Sequence, residues 1–109
     1  MQQYVALLRL TPKGLQELGN SAARRKTSED RVGSLGGRSI AFFITLGAYD
    51  FVQVFEMPSN AAMMQYALSA RRDGFVEPLI LPAFDIAKFN DILDNLSSRE
   101  VTEGEPTHV

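Results

Sequence analysis

An α+β fold, with elements in the order β-α-β-β-α-β and a further helix at the end, is predicted by three observations. RSIAFFITL (38–46) and FVQVFEM (51–57) are two runs rich in β-branched and aromatic residues, separated by a short turn that contains Gly47. Each half of that hairpin connects through a helix-like stretch to one more strand-like run. These are QYVALLRL (3–10) before it and FVEPLILPAF (75–84) after it. A chain of 109 residues suits one domain with one core.

The first strand runs directly into Thr11-Pro12, an N-cap followed by proline at the first helical position. Leu15, Leu18 and Ala22 then recur at helical spacing, and Gly19-Asn20 predicts an irregularity. The helix resumes through Val32 and Leu35 and stops at Gly36-Gly37. Thr27 and Asp30 have the spacing of a capping box, although the usual box carries Glu or Gln and opens a helix. After the hairpin, Ser59 caps a helix whose apolar stripe is Ala62, Met63, Tyr66, Ala67 and Ala70, with Gly74 as its stop. The last strand holds Pro78 and Pro82, which lack ladder donors and so predict an edge position. Asp85 caps the final helix, with Ile86, Phe89, Ile92 or Leu93, and Leu96 as its stripe. This order is the ferredoxin-like plan, a split β-α-β arrangement around an antiparallel four-stranded sheet. Residues 1–97 form the domain, and 98–109 are read as an acidic tail expected to be disordered.

A strand half-buried in a monomer alternates apolar with polar residues, and these strands mostly do not. Tyr4, Ala6, Leu8 and Leu10 oppose Val5 and Leu7; Ile40, Phe42, Ile44 and Leu46 oppose Ala41 and Phe43. Phe51, Phe55 and Met57 likewise oppose Val52 and Val54. Two crossover helices can cover only one face of the sheet. Leaving Leu8, Phe51, Phe55 and Met57 in water would forgo ~1.5–3 kcal/mol for each large side chain. It would also expose a patch larger than soluble monomers usually carry. These four residues are therefore expected to form the face of a homodimer.

Composition excludes several classes of function. With no cysteine and one histidine, His108, next to the end, the chain has no material for disulfides, thiolate chemistry, catalytic triads or His metal clusters. No metal and no cofactor are expected. No apolar run reaches the ~18 residues of a membrane span, and no leader opens the chain, so a cytoplasmic location away from membranes is expected. The net charge is −2. With Glu100, Glu103 and Glu105 set aside, eleven cations face ten anions, so residues 1–99 stand near +1. Neither value is the strong positive field of a nucleic-acid binder.

YVALLRLTPKGLQEL, SLGGRSIAFFITLGAYDFVQVFEMPS and the alanine-rich second helix resemble the GYD-domain family of small bacterial proteins. That family is named for a Gly-x-Tyr-Asp pattern, here Gly47-Ala48-Tyr49-Asp50, and the resemblance covers roughly residues 3–95. It implies kinship with dimeric α/β barrels, in which two ferredoxin-like sheets pack face to face. Activity does not follow from it, because the family is largely uncharacterised and the fold hosts many chemistries.

Gly47, Tyr49 and Asp50 read first as a structural turn. Glycine supplies positive φ, Asp50 bonds backbone amides, and Tyr49 packs its ring on the strand ends. The competing reading makes Tyr49 a proton donor and Asp50 a general base, which would require burial or a second carboxylate. Phe42, Phe43, Met63 and Tyr66, with Met64, are candidates to line a small-molecule cavity between helices and sheet, against the plainer reading as core. Arg9, Arg71 and Arg72 read as surface charge, and the cations of ARRK (23–26) as partners of Glu29 and Asp30 one turn on. Asp50, Glu56 and Glu77 have no metal-ligand spacing.

The leading expectation is a cofactor-free homodimer that binds a small, largely apolar organic molecule. One alternative is a cofactor-independent monooxygenase or isomerase of the dimeric-barrel type, weakened by the absence of Trp and of a core His. A second is an RRM-like RNA binder, in which Tyr4, Tyr49 and Phe51 would offer stacking rings, weakened by the acidic balance of the chain.

Overall fold

The computed structural model describes the backbone of residues 1–103 and the side chains of residues 1–97. The strands are β1 (Gln2–Leu10), β2 (Arg38–Ile44), β3 (Phe51–Met57) and β4 (Val76–Ala83). The helices are α1 (Pro12–Gln16), α2 (Ser21–Ser34), α3 (Asn60–Asp73) and α4 (Ile86–Glu103), with a 3-10 turn at Leu18–Asn20. The strands form one antiparallel sheet in the order β2-β3-β1-β4. This is the ferredoxin-like arrangement that the element order predicts. The 3-10 turn falls where Gly19-Asn20 interrupts the helical pattern. Residues 104–109 of the acidic tail lie outside the described residues, and α4 carries the backbone as far as Glu103.

Local chemistry sets the element ends. Thr11 Oγ1 accepts from Gly14 N at 3.1 Å, capping α1 just ahead of Pro12. The same hydroxyl donates to the Gly74 carbonyl at 2.6 Å, tying α1 to the α3–β4 junction. Ser59 Oγ accepts from Ala62 N at 3.1 Å at the start of α3, and Asp85 Oδ1 accepts from Lys88 N at 2.8 Å at the start of α4. At the α2–β2 junction the chain presses against β3. A Cβ on Gly37 would collide with the Glu56 carbonyl oxygen and Met57 Sδ, so only glycine fits.

β4 is an edge strand, as its prolines predict. Leu8 accepts from Asp50 N through its carbonyl and Leu10 donates through its amide to the Asp50 side chain, so both turn their backbone polar groups toward β3. Tyr4 lies on the same register, and Tyr4 and Leu8 pair with Pro82 and Pro78. The two prolines therefore sit at non-hydrogen-bonded positions and turn their nitrogens outward. β2, on the opposite edge, carries a bulge between Ser39 and Ala41.

The core lies between the sheet and α2 and α3. Tyr4, Ala6, Leu8, Val32, Phe55, Met57, Met63 and Tyr66 form it, and Phe51 packs against it half-buried. The rings of Phe55 and Tyr66 meet at 5.2 Å and 57°. Tyr4 Oη donates to Asn60 Oδ1 at the head of α3.

This placement corrects the expected dimer face. Leu8, Phe55 and Met57 are at most 5% exposed beneath the helices, and Phe51 points to the same side. The division of each strand into two apolar sets holds, but the sets exchange places. Two physical reasons account for it. The right-handed crossover decides which face the helices cover, and the deep space between helix and sheet takes the bulkier residues.

The open face carries the smaller set. Cross-strand register builds one row from Phe43, Val52, Leu7 and Leu79, and a second from Ala41, Val54, Val5 and Leu81. Arg38, Glu56 and Gln3 border these rows at one end, and Arg9 with Glu77 at the other. The side chains of Arg38 and Glu56 pair at 2.8 Å. Tyr4 and Phe51 are absent from this face, so the stacking platform of an RRM-like reading is not formed.

α4 stands apart from the core. Its stripe, Ile86, Phe89, Ile92, Leu93 and Leu96, is 43–73% exposed. The Cα radius of gyration is 17.9 Å, against the ~13 Å of a compact chain of this size.

Candidate functional site

Two regions bring together the residues that the sequence singles out. The first is the corner between β2 and β3. Gly47 has φ +109°, and a Cβ there would meet nothing within 4 Å, so the backbone angle and not space selects glycine. Thr45 closes the loop, donating from N to the Asp50 carbonyl at 2.9 Å and from Oγ1 to the Tyr49 carbonyl at 2.7 Å. Asp50 then serves β1. Its amide donates to the Leu8 carbonyl at 2.9 Å, and its Oδ2 accepts from Leu10 N at 2.7 Å.

The paired register of β1 and β3 ends at Leu8 and Phe51. The Asp50 carboxylate therefore supplies one more rung, for an amide that β3 no longer reaches. Arg9 Nε donates to the Ala48 carbonyl at 3.0 Å, and its guanidinium lies 5.2 Å from the centre of the Tyr49 ring. Beside this corner is a broad depression of about 540 Å³ that Arg9, Tyr49, Arg71, Glu77 and Pro78 help to line.

These bonds are folding bonds. Asp50→Ala is expected to lower stability by about 1–3 kcal/mol, because the Leu10 amide loses its acceptor. Tyr49→Phe, which removes a hydroxyl that makes no hydrogen bond among the described residues, should change stability by no more than about 0.5 kcal/mol. Urea denaturation of the two variants checks both. A large loss in Tyr49→Phe would show that the hydroxyl has a partner of its own.

The second region is a cavity of about 440 Å³ between α2, α3 and the sheet, lined by residues from all four strands. Leu8, Phe42, Ile44, Phe51, Phe75 and Val76 give it apolar walls, and the Phe42 and Phe51 rings meet at 5.5 Å. A polar cluster interrupts those walls. Tyr66 Oη donates to Gln53 Oε1 at 3.3 Å and shares a hydrogen bond with Ser28 Oγ at 2.7 Å. Gln53 is 1% exposed, and its Nε2 has no hydrogen-bond partner among the described residues. Burial pushes the Tyr66 hydroxyl above the ordinary tyrosine range, while the Ser28 hydrogen bond and the nearby Arg31 pull it the other way. At neutral pH it is therefore an uncharged donor.

Arg31 Nη2 pairs with Asp73 Oδ2 at 2.8 Å, linking α2 to α3 along the wall. Arg24 and Arg25 also line the cavity, lying 4.6 Å from the Phe75 ring centre and 5.6 Å from that of Phe42. Arg25 reaches Glu29 only at 4.0 Å, with both side chains about half exposed, and Arg24 has no carboxylate partner among the described residues. Asp73, the only acid on the wall, is already paired.

A model of the GYD domain matches residues 4–93, most of the chain. The chain belongs to the GYD-domain family. Neither the curated proteins nor the solved structures give a match. The signature of this GYD domain, Gly47 to Asp50, lies at the hairpin corner and outside the cavity of the second region.

Of the four ligand-lining candidates, the cavity takes Phe42 and Tyr66. Met63 is 3% exposed in the core, and Phe43 points to the open face of the sheet. Met64 is exposed. Glu56 and Glu77 lie at opposite ends of the open face, and among the described residues no three potential metal ligands come together. No helix among the described residues is long and apolar enough to cross a membrane.

Sequence reasoning missed Gln53, Ser28 and Arg31. The signal for Gln53 was in the strand itself. FVQVFEM places an amide between Phe51 and Phe55 on their own face, where a buried polar group needs a partner. Ser28 and Arg31 are helix residues whose approach to Gln53 depends on how α2 crosses the sheet.

Proposed function

We propose that this GYD domain is a cytoplasmic homodimer, paired through its open sheet face, that binds a small and largely apolar organic molecule without a cofactor. The observation that carries the binding role is the cavity of about 440 Å³, with an aromatic and aliphatic sheet side facing a polar α2 and the buried Gln53–Tyr66–Ser28 cluster. Apolar walls with a few convergent polar groups are the usual form of a small-molecule site. At ~30 Å³ for each atom of water size, it has room for about 15 non-hydrogen atoms.

Pairing is supported by the two apolar rows of the open face, continuous across all four strands. Phe43, Leu79 and Leu81 are 58%, 45% and 42% exposed in the single chain. A contiguous patch of this kind on a soluble protein marks an interaction surface, and a second copy presents the same rows with the same charged borders.

Native mass spectrometry of the purified protein tests both parts. The expected species has twice the 12.1 kDa of one chain, with an added mass from a retained molecule. A lone chain at micromolar concentration removes the pairing. Protein that carries no added mass and takes up no small molecule in a binding screen removes the ligand role.

A further inference from the structure

We infer that the cavity ligand is an organic carboxylate, its acid group held by the Gln53 side-chain amide and drawn in by Arg24 and Arg25. This rests on the small-molecule reading above and adds the chemistry of the head group. Three observations lead to it.

The first is an uncompensated donor. Gln53 is 1% exposed, it lines the cavity, and its Nε2 has no partner among the described residues. A buried amide N–H without an acceptor costs about 1–3 kcal/mol, and native structures seldom keep one without a reason. The remaining polar atoms of the cluster are committed to one another. Ser28 Oγ and Tyr66 Oη bond each other and Tyr66 bonds Gln53 Oε1, which leaves the N–H groups of the amide over. What is missing is an acceptor.

The second observation is the sign of charge. Three guanidinium groups line the cavity, and its one carboxylate, on Asp73, is occupied by Arg31. Arg24, with no carboxylate partner among the described residues, and Arg25, held by Glu29 only at 4.0 Å, leave a positive contribution, each resting against an aromatic ring, Phe75 and Phe42, that also lines the cavity. Such a site favours an anionic acceptor over a neutral one and disfavours a cation.

The third is shape. The polar lining comes from α2, with Gln53, Tyr66 and Asp73, and the rest of the sheet side, with Phe75, is aliphatic or aromatic. The fitting ligand has one acid group on an apolar body of about ten carbons.

Two probes with the same tail and opposite heads test this on the full chain: decanoate and decylammonium, each below its micelle concentration. Binding is followed by calorimetry and located by NMR. Decanoate is expected to bind and to shift the resonances of Phe42, Phe51 and Tyr66, with decylammonium at least tenfold weaker. Gln53→Leu removes the orphan donor. The Tyr66 hydroxyl, which loses Gln53 Oε1, still has Ser28 Oγ at 2.7 Å to bond. Gln53→Leu should therefore weaken decanoate roughly tenfold or more with little change in the melting temperature of the unliganded protein, a combination that a purely structural role for Gln53 would not give. Should Gln53→Leu fail to fold, the double variant Arg24→Gln, Arg25→Gln carries the test, with decanoate weakened and decylammonium not.

Equal binding of both probes, or decanoate binding indifferent to both variants, overturns the carboxylate inference and leaves the cavity reading standing. No binding of either probe, or shifts confined to the open sheet face, overturns both.

Discussion

Truncating Phe55 to alanine is expected to remove about 3–5 kcal/mol of stability, the largest loss from any single truncation proposed for this protein. The side chain has no solvent exposure, its ring lies 5.2 Å from that of Tyr66, and Tyr4 and Met57 are among its core neighbours. Little can collapse into the resulting space, because α2 and α3 are fixed at their ends by the Arg31–Asp73 pair and the Thr11 bonds. The loss amounts to a large part of the ~5–15 kcal/mol that holds a typical domain. Thermal melting should fall by ~4 °C or more for each kcal/mol. A loss under about 1 kcal/mol would mean that Phe55 faces outward and that the two sides of the sheet have been assigned the wrong way round.

The second large effect is expected on association. Val54 sits within the second apolar row, between Val5 and Ala41 in the register. Val54→Lys places a charge in the middle of the open face and, by two-fold symmetry, a second one across from it. Burying two like charges without partners while losing apolar contact should weaken pairing by at least ~10³-fold. The single chain itself should fold as before, since position 54 points away from the helices. Sedimentation velocity reads the first outcome and circular dichroism the second. A Val54→Lys protein that still pairs with undiminished affinity would move the interface to another surface.

The features legible in the sequence are those with local causes. Thr11-Pro12, Ser59 and Asp85 act through atoms three residues away, so reading them as caps required no knowledge of the fold. The element order is legible for the same reason, and so is the edge position of β4, since proline cannot serve a central ladder. The sides of the sheet were not legible. Both sets of alternating residues are apolar, and a pattern of period two is silent about which set meets the helices when neither is polar. That choice is made by crossover handedness and by volume, which are properties of the assembled layers.

The site divides in the same way. Phe42 and Tyr66 were accessible as large residues on opposed elements. Phe43 follows Phe42 in sequence and lands on the other face of the same strand. Asp50 reads locally as an acceptor for turn amides, whereas it accepts from Leu10, forty residues earlier, and no local turn rule points there. Gln53 was the informative misfit, a lone amide among buried hydrophobes, and its partners Ser28 and Tyr66 come from two different helices.

The borders of the sheet have a consequence for what copies of this protein can build. On one border Pro78 and Pro82 face outward without a donor to offer, and on the other a bulge at Ile40 breaks the even spacing that an incoming strand would need. Growth by lateral strand addition, the route to ribbons and amyloid, is thus obstructed at both ends, even though the middle of each strand is rich in fibril-prone residues.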